Sequence, residues 1–368
     1  MLNEKILRND EKAVYNLRSL YRRFGYSRFK MSKFEEYDLY VRNKDFLISD
    51  GIITFTDTNG RLLALKPDVT LSIIKNAKDL KGQVEKLYYN ENVYCISGDS
   101  HSFKEITQTG LECIGDISIY DICEVLYLAV KSLENIDSNY IIDIAHAGLV
   151  SALINKCELA DDIRSKVFES VQNKSIDEIT SIFQNELMTK FSYDIISKLV
   201  STYKSCDEII GAFGGISEDI DAQLREFSVI CKSLSDMNLT DKVRIDFSIV
   251  NDTSYYSGLV FKGYISGIFT SVLSGGQYDK LMKKMGKNSG AVGFAVYLDA
   301  LERHGNEKSD YDYDFVILKD ENCDSAQIIK TVESLSENGF SVIVLSQLDK
   351  SIRYKSLMKL TKNGLEGA

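Results

Sequence analysis

Proline occurs once in this 368-residue chain, at Pro67, and there is no low-complexity tract or internal repeat. No run of 18 apolar residues occurs, and the start, MLNEKILRNDEK, is charged without an apolar core. Neither a membrane span nor a secretory signal is readable, so a cytoplasmic protein is expected. The seven cysteines contain no C-x-x-C pair and are odd in number, which argues against a disulfide framework and a thiolate zinc site. They are expected to be reduced and mostly buried as small hydrophobes. His101, His146 and His304 are scattered, with no metal-ligand spacing and no nucleophile motif beside them. One is expected in a loop, one partly buried and one at a helix end. No metal and no cofactor is expected. A formal charge of -10 disfavours general affinity for nucleic acid, whose backbone must be met by lysine and arginine.

What is present is ordinary for folded protein: 44% apolar and 27% charged residues, in a chain too long for one comfortable core. Residues 1–30 carry a basic strip (Lys5, Arg8, Lys12, Arg18, Arg22, Arg23, Arg28, Lys30) against Glu4, Asp10 and Glu11. It reads either as a solvated helix face or as a docking surface for an anionic partner.

Val14, Leu17, Leu20, Tyr21 and Phe24 recur at helical spacing and stop at Gly25. Residues 46–55 and 61–65 read as paired strands around Thr58-Asn59-Gly60, and Pro67 can open a helix reaching residue 77. Residues 87–96 and 107–114 suggest a long antiparallel hairpin, followed by a helix over 121–133 and a strand over 140–145. From about 148 to 238 the apolar residues keep helical spacing, which predicts an inserted helical subdomain. Strands are expected again at 243–249, 259–265 and 268–273, then helices from Tyr278 and from Gly293. Residues 311–368 predict one βαβ unit with a short helical tail, packed on a first domain of residues 1–310.

Gln108, Gly110 and Glu112 alternate, so the Gln and Glu side chains share one sheet face. That face is either open to solvent or buried and in need of a partner, for which a ligand ammonium would serve. The segments 251–258 and Ser274-Gly275-Gly276-Gln277-Tyr278-Asp279 are further polar clusters; each taken alone reads as a structural turn. In the pair Tyr255-Tyr256, one ring is expected in the core and one toward solvent or a pocket.

In this order, from about residue 11 to 301, these segments resemble histidyl-tRNA synthetase. Gly25-Tyr26 with Phe34-Glu35 is similar to the family's dimer-interface motif, with Ser32 where a proline is usual. Lys66-Pro67-Asp68-Val69-Thr70 resembles its amino-acid-binding R-P-E-x-T element, one methylene shorter at Asp68. Gln108-x-x-x-Glu112, Tyr255-Tyr256-Ser257-Gly258 and Gly275-Gly276-Gln277-Tyr278-Asp279 resemble its histidine-pocket motifs, and Gly293-Phe294-Ala295 with Leu301 its third motif. The resemblance implies an α+β fold: a class II aminoacyl-tRNA synthetase-like antiparallel sheet flanked by helices, with a homodimer core formed near residues 20–40.

It also marks departures. Cys95, Asn251 and Ala300 stand where the family places phosphate-binding or catalytic arginines, Gln277 replaces another arginine, and Tyr297 replaces a small glycine. Adenylation needs fixed positive charge on phosphate, which these neutral side chains do not supply. The synthetase-like family that lacks these groups and a full anticodon-binding domain is the ATP phosphoribosyltransferase regulatory subunit of histidine biosynthesis. Resemblance to it implies a non-catalytic partner that activates the short-form ATP phosphoribosyltransferase catalytic subunit and contributes to histidine feedback. It implies a histidine pocket of Asp68, Thr70, Gln108, Glu112, Tyr255 and Tyr256, in which Asp68 and Glu112 meet the L-histidine ammonium and Gln108 orients it. A divergent histidyl-tRNA synthetase and an amino-acid- or tRNA-sensing module are the alternatives.

Overall fold

A computed structural model describes residues 7–43, 51–78, 82–96, 102–251, 255–301, 311–320, 323–362 and 364–367. Residues 46–50 of the first expected strand, most of the 97–102 loop, His101, His304 and residues 252–254 lie outside them. The chain divides into two compact units, Met1–His304 and Gly305–Ala368.

The first unit begins with α1 (Asn9–Arg23), whose Ala13, Leu17, Leu20 and Tyr21 are buried on one stripe while Lys12, Arg22 and Arg23 stay exposed. Gly25 ends it at φ +84°, a conformation that disfavours side chains. Then come β1 (Ser27–Arg28), β2 (Phe34–Glu36), α2 (Tyr37–Val41), β3 (Thr54–Thr56), β4 (Leu62–Leu65) and α3 (Val69–Asn76). The hairpin follows as β5 (Val84–Ile96) and β6 (Phe103–Gly115), then α4 (Ile119–Ile136) and β7 (Tyr140–His146). Six helices come next: α5 (Ala147–Lys156), α6 (Asp161–Gln172), α7 (Ile176–Gln184), α8 (Lys190–Leu199), α9 (Cys206–Phe213) and α10 (Glu218–Asp236), with β8 (Thr202–Tyr203) between α8 and α9. The unit closes with β9 (Val243–Asp246), β10 (Leu259–Ile265), β11 (Leu273–Gln277), α11 (Asp279–Lys284) and β12 (Gly290–Tyr297).

Nine strands form one sheet in the order β1-β5-β6-β12-β11-β10-β7-β9-β8. It is antiparallel except where β1 meets β5 and β7 meets β9. Period-two alternation divides its faces. Leu111, Cys113, Tyr88, Phe294 and Val296 join α1 and α4 in the larger core, whereas Ile114, Leu87 and Tyr89 join a second cluster with Val69, Leu71 and Tyr278. On α4, each fully buried Val or Leu contributes about 1.5–3 kcal/mol, and Tyr21 ties it to α1 through a 3.0 Å hydrogen bond with Ser132. β2, β3 and β4 form a separate three-stranded sheet.

Over the expected helical stretch 148–238 the structure has α5 to α10, whose Leu149, Val167, Ile196, Phe213 and Phe227 belong to the cluster that includes α1 and α4, and β8 pairs with β9 at the sheet edge. Several expectations are corrected. The helix expected from Gly293 is instead β12, where Val292, Phe294 and Val296 alternate inward and glycine and alanine occupy the other face. Likewise, the strand expected at 268–273 begins only at Leu273 and runs through the glycine pair read as a turn. His146 is buried at a helix end, where its Nδ1 accepts the Leu149 amide and caps α5. Only Cys113 and Cys157 are buried among the seven free cysteines.

The second unit holds β13 (Tyr313–Lys319), α12 (Ser325–Glu337), β14 (Val342–Leu345), β15 (Tyr354–Thr361) and β16 (Gly364–Gly367). The expected βαβ unit is present, but its tail is strand. β15 runs parallel to β13 and satisfies an edge that a helix would leave unpaired, and β16 folds back on β15.

Candidate functional site: two carboxylates under a cluster of tyrosines

The site is assembled on the sheet face away from α1 and α4. Pro67 precedes α3, and Asp68 caps it by accepting the Leu71 amide at 2.7 Å. Two residues on, Thr70 donates its hydroxyl to Glu112 Oε1 at 2.8 Å. On the other carboxylate oxygen, Glu112 accepts the hydroxyl of Tyr278, which follows β11. Glu112 lies directly over Gly293 on the neighbouring strand: a Cβ there would stand 1.7 Å from Oε2. Gly276 similarly makes room for the Tyr256 ring, which a Cβ would meet at 2.7 Å. These glycines are therefore close-approach positions within strands, and the turn reading of 274–277 is withdrawn.

Tyrosines complete the surroundings. Tyr255 and Tyr256 meet edge to face at 4.6 Å between ring centres, and Tyr255 lies 6.0 Å from the Tyr278 ring. Both are half-buried, Tyr256 packed against the larger core and Tyr255 against the second cluster. Ser274 hydrogen-bonds the hydroxyls of both Tyr256 and Tyr297. Burial pushes the Tyr297 hydroxyl up to about 12 and holds those of Tyr89, Tyr255 and Tyr278 well above the ordinary range, so all four remain proton donors at neutral pH.

The carboxyls respond to the same burial. It raises Glu112 to about 8, against the hydrogen bonds from Tyr278 and Thr70 and with the help of nearby Asp68. Asp68 keeps some surface open to solvent yet is crowded, and burial raises it to about 6, against the Leu71 and Thr70 amides and Lys66. Lys66 is itself committed to Glu91 at 3.0 Å. Among the described residues neither Asp68 nor Glu112 forms an ion pair. Two acids poised near neutrality without an ion pair among the described residues can accept N–H donors. Nothing in the described residues resembles a metal site.

Of the sequence-predicted residues, Asp68, Thr70, Glu112, Tyr255 and Tyr256 come together. Gln108 is buried on the same face, which overturns the solvent-facing reading for both it and Glu112. The two are four residue steps apart, roughly 13 Å along a strand, so Gln108 marks the far end of the site, opposite Tyr297 in register. Cys95 faces Lys104 in register, and burial pushes its thiol up. Asn251 is exposed and accepts Lys262 Nζ at 3.1 Å. Gln277 donates to Asp279 at 2.8 Å while its buried Oε1 has no partner among the described residues, and Ala300 packs against the larger core. Sequence reading placed Tyr278 in a pocket-like motif and Gly293 in the third motif without their contacts to Glu112, and it missed Tyr89 and Ser274 as site residues. Strand parity would have found Tyr89, which pairs with Gly110 and so shares its face.

A family model described as histidyl-tRNA synthetase matches residues 2–301. The chain belongs to the histidyl-tRNA synthetase family. Within that family it is similar to proteins named ATP phosphoribosyltransferase regulatory subunit. One from Clostridium botulinum is 29% identical over 317 residues, covering 82% of this chain and 74% of that protein. A solved ATP phosphoribosyltransferase regulatory subunit/histidyl-tRNA synthetase from Bacillus halodurans superposes with a TM-score of 0.76 at 22% identity, covering 95% of this chain and 93% of the other. A chain of the ATP phosphoribosyl transferase (HisG:HisZ) complex from Thermotoga maritima gives a TM-score of 0.62 at 21% identity, covering 81% and 97%. At these identities the structures establish the class II synthetase-like fold. No helix among the described residues is long and apolar enough to cross a membrane.

Proposed function

We propose that the chain is a non-catalytic regulatory subunit of ATP phosphoribosyltransferase that binds the short-form catalytic subunit and holds L-histidine at the Asp68–Glu112 site. The observation that carries the pocket is the pair of carboxylates, raised to about 6 and about 8 and without an ion pair among the described residues. Asp68, the more open of the two, suits an ammonium group; Glu112 receives a ligand N–H deeper in the sheet. The regulatory role rests on the names of the similar proteins and on the neutral side chains at Cys95, Asn251, Gln277 and Ala300.

The titration sign gives a test. An N–H donor placed against Glu112 favours its ionised form, so binding expels the proton that the free carboxyl holds below about 8. Between pH 7 and 8, where the ligand imidazole is neutral and its amine charged, affinity should rise roughly fivefold, with proton release visible as buffer-dependent calorimetric heat. Glu112→Gln should abolish that rise and weaken binding at pH 8 by about 1.5–3 kcal/mol, the scale of a hydrogen bond to a charged group. Equal binding by the variant, or affinity independent of pH, would remove Glu112 from the pocket.

The same reading includes a homodimer. Phe34, Phe55 and Leu62 expose apolar surface on the three-stranded sheet, with Phe34 and Phe55 packed edge to face at 5.3 Å. Sedimentation at micromolar concentration should give a dimer, and a monomer there would contradict it.

A further inference from the structure

Well removed in the fold from the tyrosine cluster, a cavity of about 350 Å³ lies where α9 and α10 meet the edge of the large sheet. Cys206, Cys231, Lys204, Lys232, Asp207 and Ile245 are among its lining residues. Cys206 is the first residue of α9, just after the capping Ser205, and Cys231 lies within α10. Both are half-buried and unbridged, and their thiols are in hydrogen-bonding contact. That contact lowers the Cys206 thiol, against burial and the adjacent Asp207, and raises Cys231. A third thiol, Cys123 of α4, is close enough to Cys231 for its charge to be felt. The histidine site uses none of these groups.

We propose that Cys206 and Cys231 are a reversible dithiol–disulfide pair, oxidised by hydrogen peroxide admitted to this cavity and reset by a small thiol. Structural buried cysteines are usually inert; here two thiols line one cavity together with two lysines and belong to helices separated by a short loop. Cys206 loses its proton to solvent and attacks a peroxide oxygen. The O–O bond breaks, hydroxide leaves and takes up that proton as water, and Cys206 becomes a sulfenic acid. The Cys231 thiol then attacks the sulfenic sulfur: the S–S bond forms, the S–O bond breaks, and a second water leaves. In sum, two thiols are oxidised by two electrons while one peroxide is reduced to two waters. An external dithiol returns the electrons by exchange.

The test is alkylation and peptide mapping of the full chain after brief treatment with stoichiometric peroxide. The count of alkylatable thiols should fall by two from seven, the intact mass should fall by two hydrogens, and the peptides carrying Cys206 and Cys231 should appear crosslinked until dithiothreitol is added. In Cys231→Ser the reaction should stop at Cys206 sulfenic acid, trapped by dimedone, whereas the unmodified chain should resist dimedone because Cys231 resolves the intermediate. Seven alkylatable thiols after treatment, stable sulfinic acid at Cys206 without a crosslink, or a Cys231–Cys123 bridge would each overturn the proposal.

Discussion

Purified protein supplied with ATP, magnesium, histidine and labelled pyrophosphate is expected to give no histidine-dependent exchange above background. Amino-acid activation moves negative charge along the triphosphate, and catalysis depends on fixed cationic donors where that charge develops. Guanidinium groups suit this because a planar fork of N–H donors stays charged at all relevant pH. In the proposed reading those positions hold a thiol that burial keeps protonated (Cys95), an exposed amide held by Lys262 (Asn251), an amide tied to Asp279 (Gln277) and a methyl group packed against the core (Ala300). Removing one such donor costs about 10²- to 10³-fold in rate, and several losses in one site leave nothing measurable even without additivity. Histidine-dependent exchange at an ordinary synthetase rate would mean that other cations, such as Lys104 or Lys262, have taken over the phosphates.

The second large effect is expected from Gly293→Ala. A Cβ at this position would lie 1.7 Å from Glu112 Oε2 and 2.5 Å from the Leu111 carbonyl oxygen. The carboxylate could swing away only by giving up Thr70 and Tyr278, and the carbonyl is fixed in the β6–β12 ladder. Overpacking of this kind costs about 1–3 kcal/mol in stability, and histidine binding should be lost because Glu112 can no longer hold its place. Gly211→Ala is the control: this glycine sits in α9 with open space where a Cβ would go, so alanine there should raise stability by roughly 0.5–1 kcal/mol. Thermal unfolding and calorimetry on both variants check the pair. Gly293→Ala with normal stability and normal histidine affinity would show that the carboxylate does not rest on that glycine when ligand is bound.

Much of this fold was legible because its periods are strong. The stripe of α1, the paired strands β5 and β6 and the apolar face of α4 each carry a repeat that only one element type satisfies. β12 was not legible, since glycine and alanine on its site-facing side dilute the alternation of Val292, Phe294 and Val296. β15 and β16 were missed for a different reason: their formation depends on the open edge of β13, which is a property of the sheet and not of the segment. In the site, Glu112 and Gln108 were visible from their two-residue parity, but their burial was not, because it comes from α3 and the tyrosines folding over the face. Tyr278 and Gly293 could not be assigned roles from local sequence, as each acts through a contact about 170 to 180 residues away along the chain, a distance only topology closes.

The most direct test of a regulatory role is the turnover of a short-form ATP phosphoribosyltransferase, measured alone and with this chain added, with sedimentation of the same mixtures. A hetero-oligomer should form, phosphoribosyl transfer should accelerate, and added histidine should reverse the acceleration in the mixture containing the unmodified chain but less so with Glu112→Gln. Separate species in the sedimentation profile, with turnover unchanged by the chain, would contradict the proposed function.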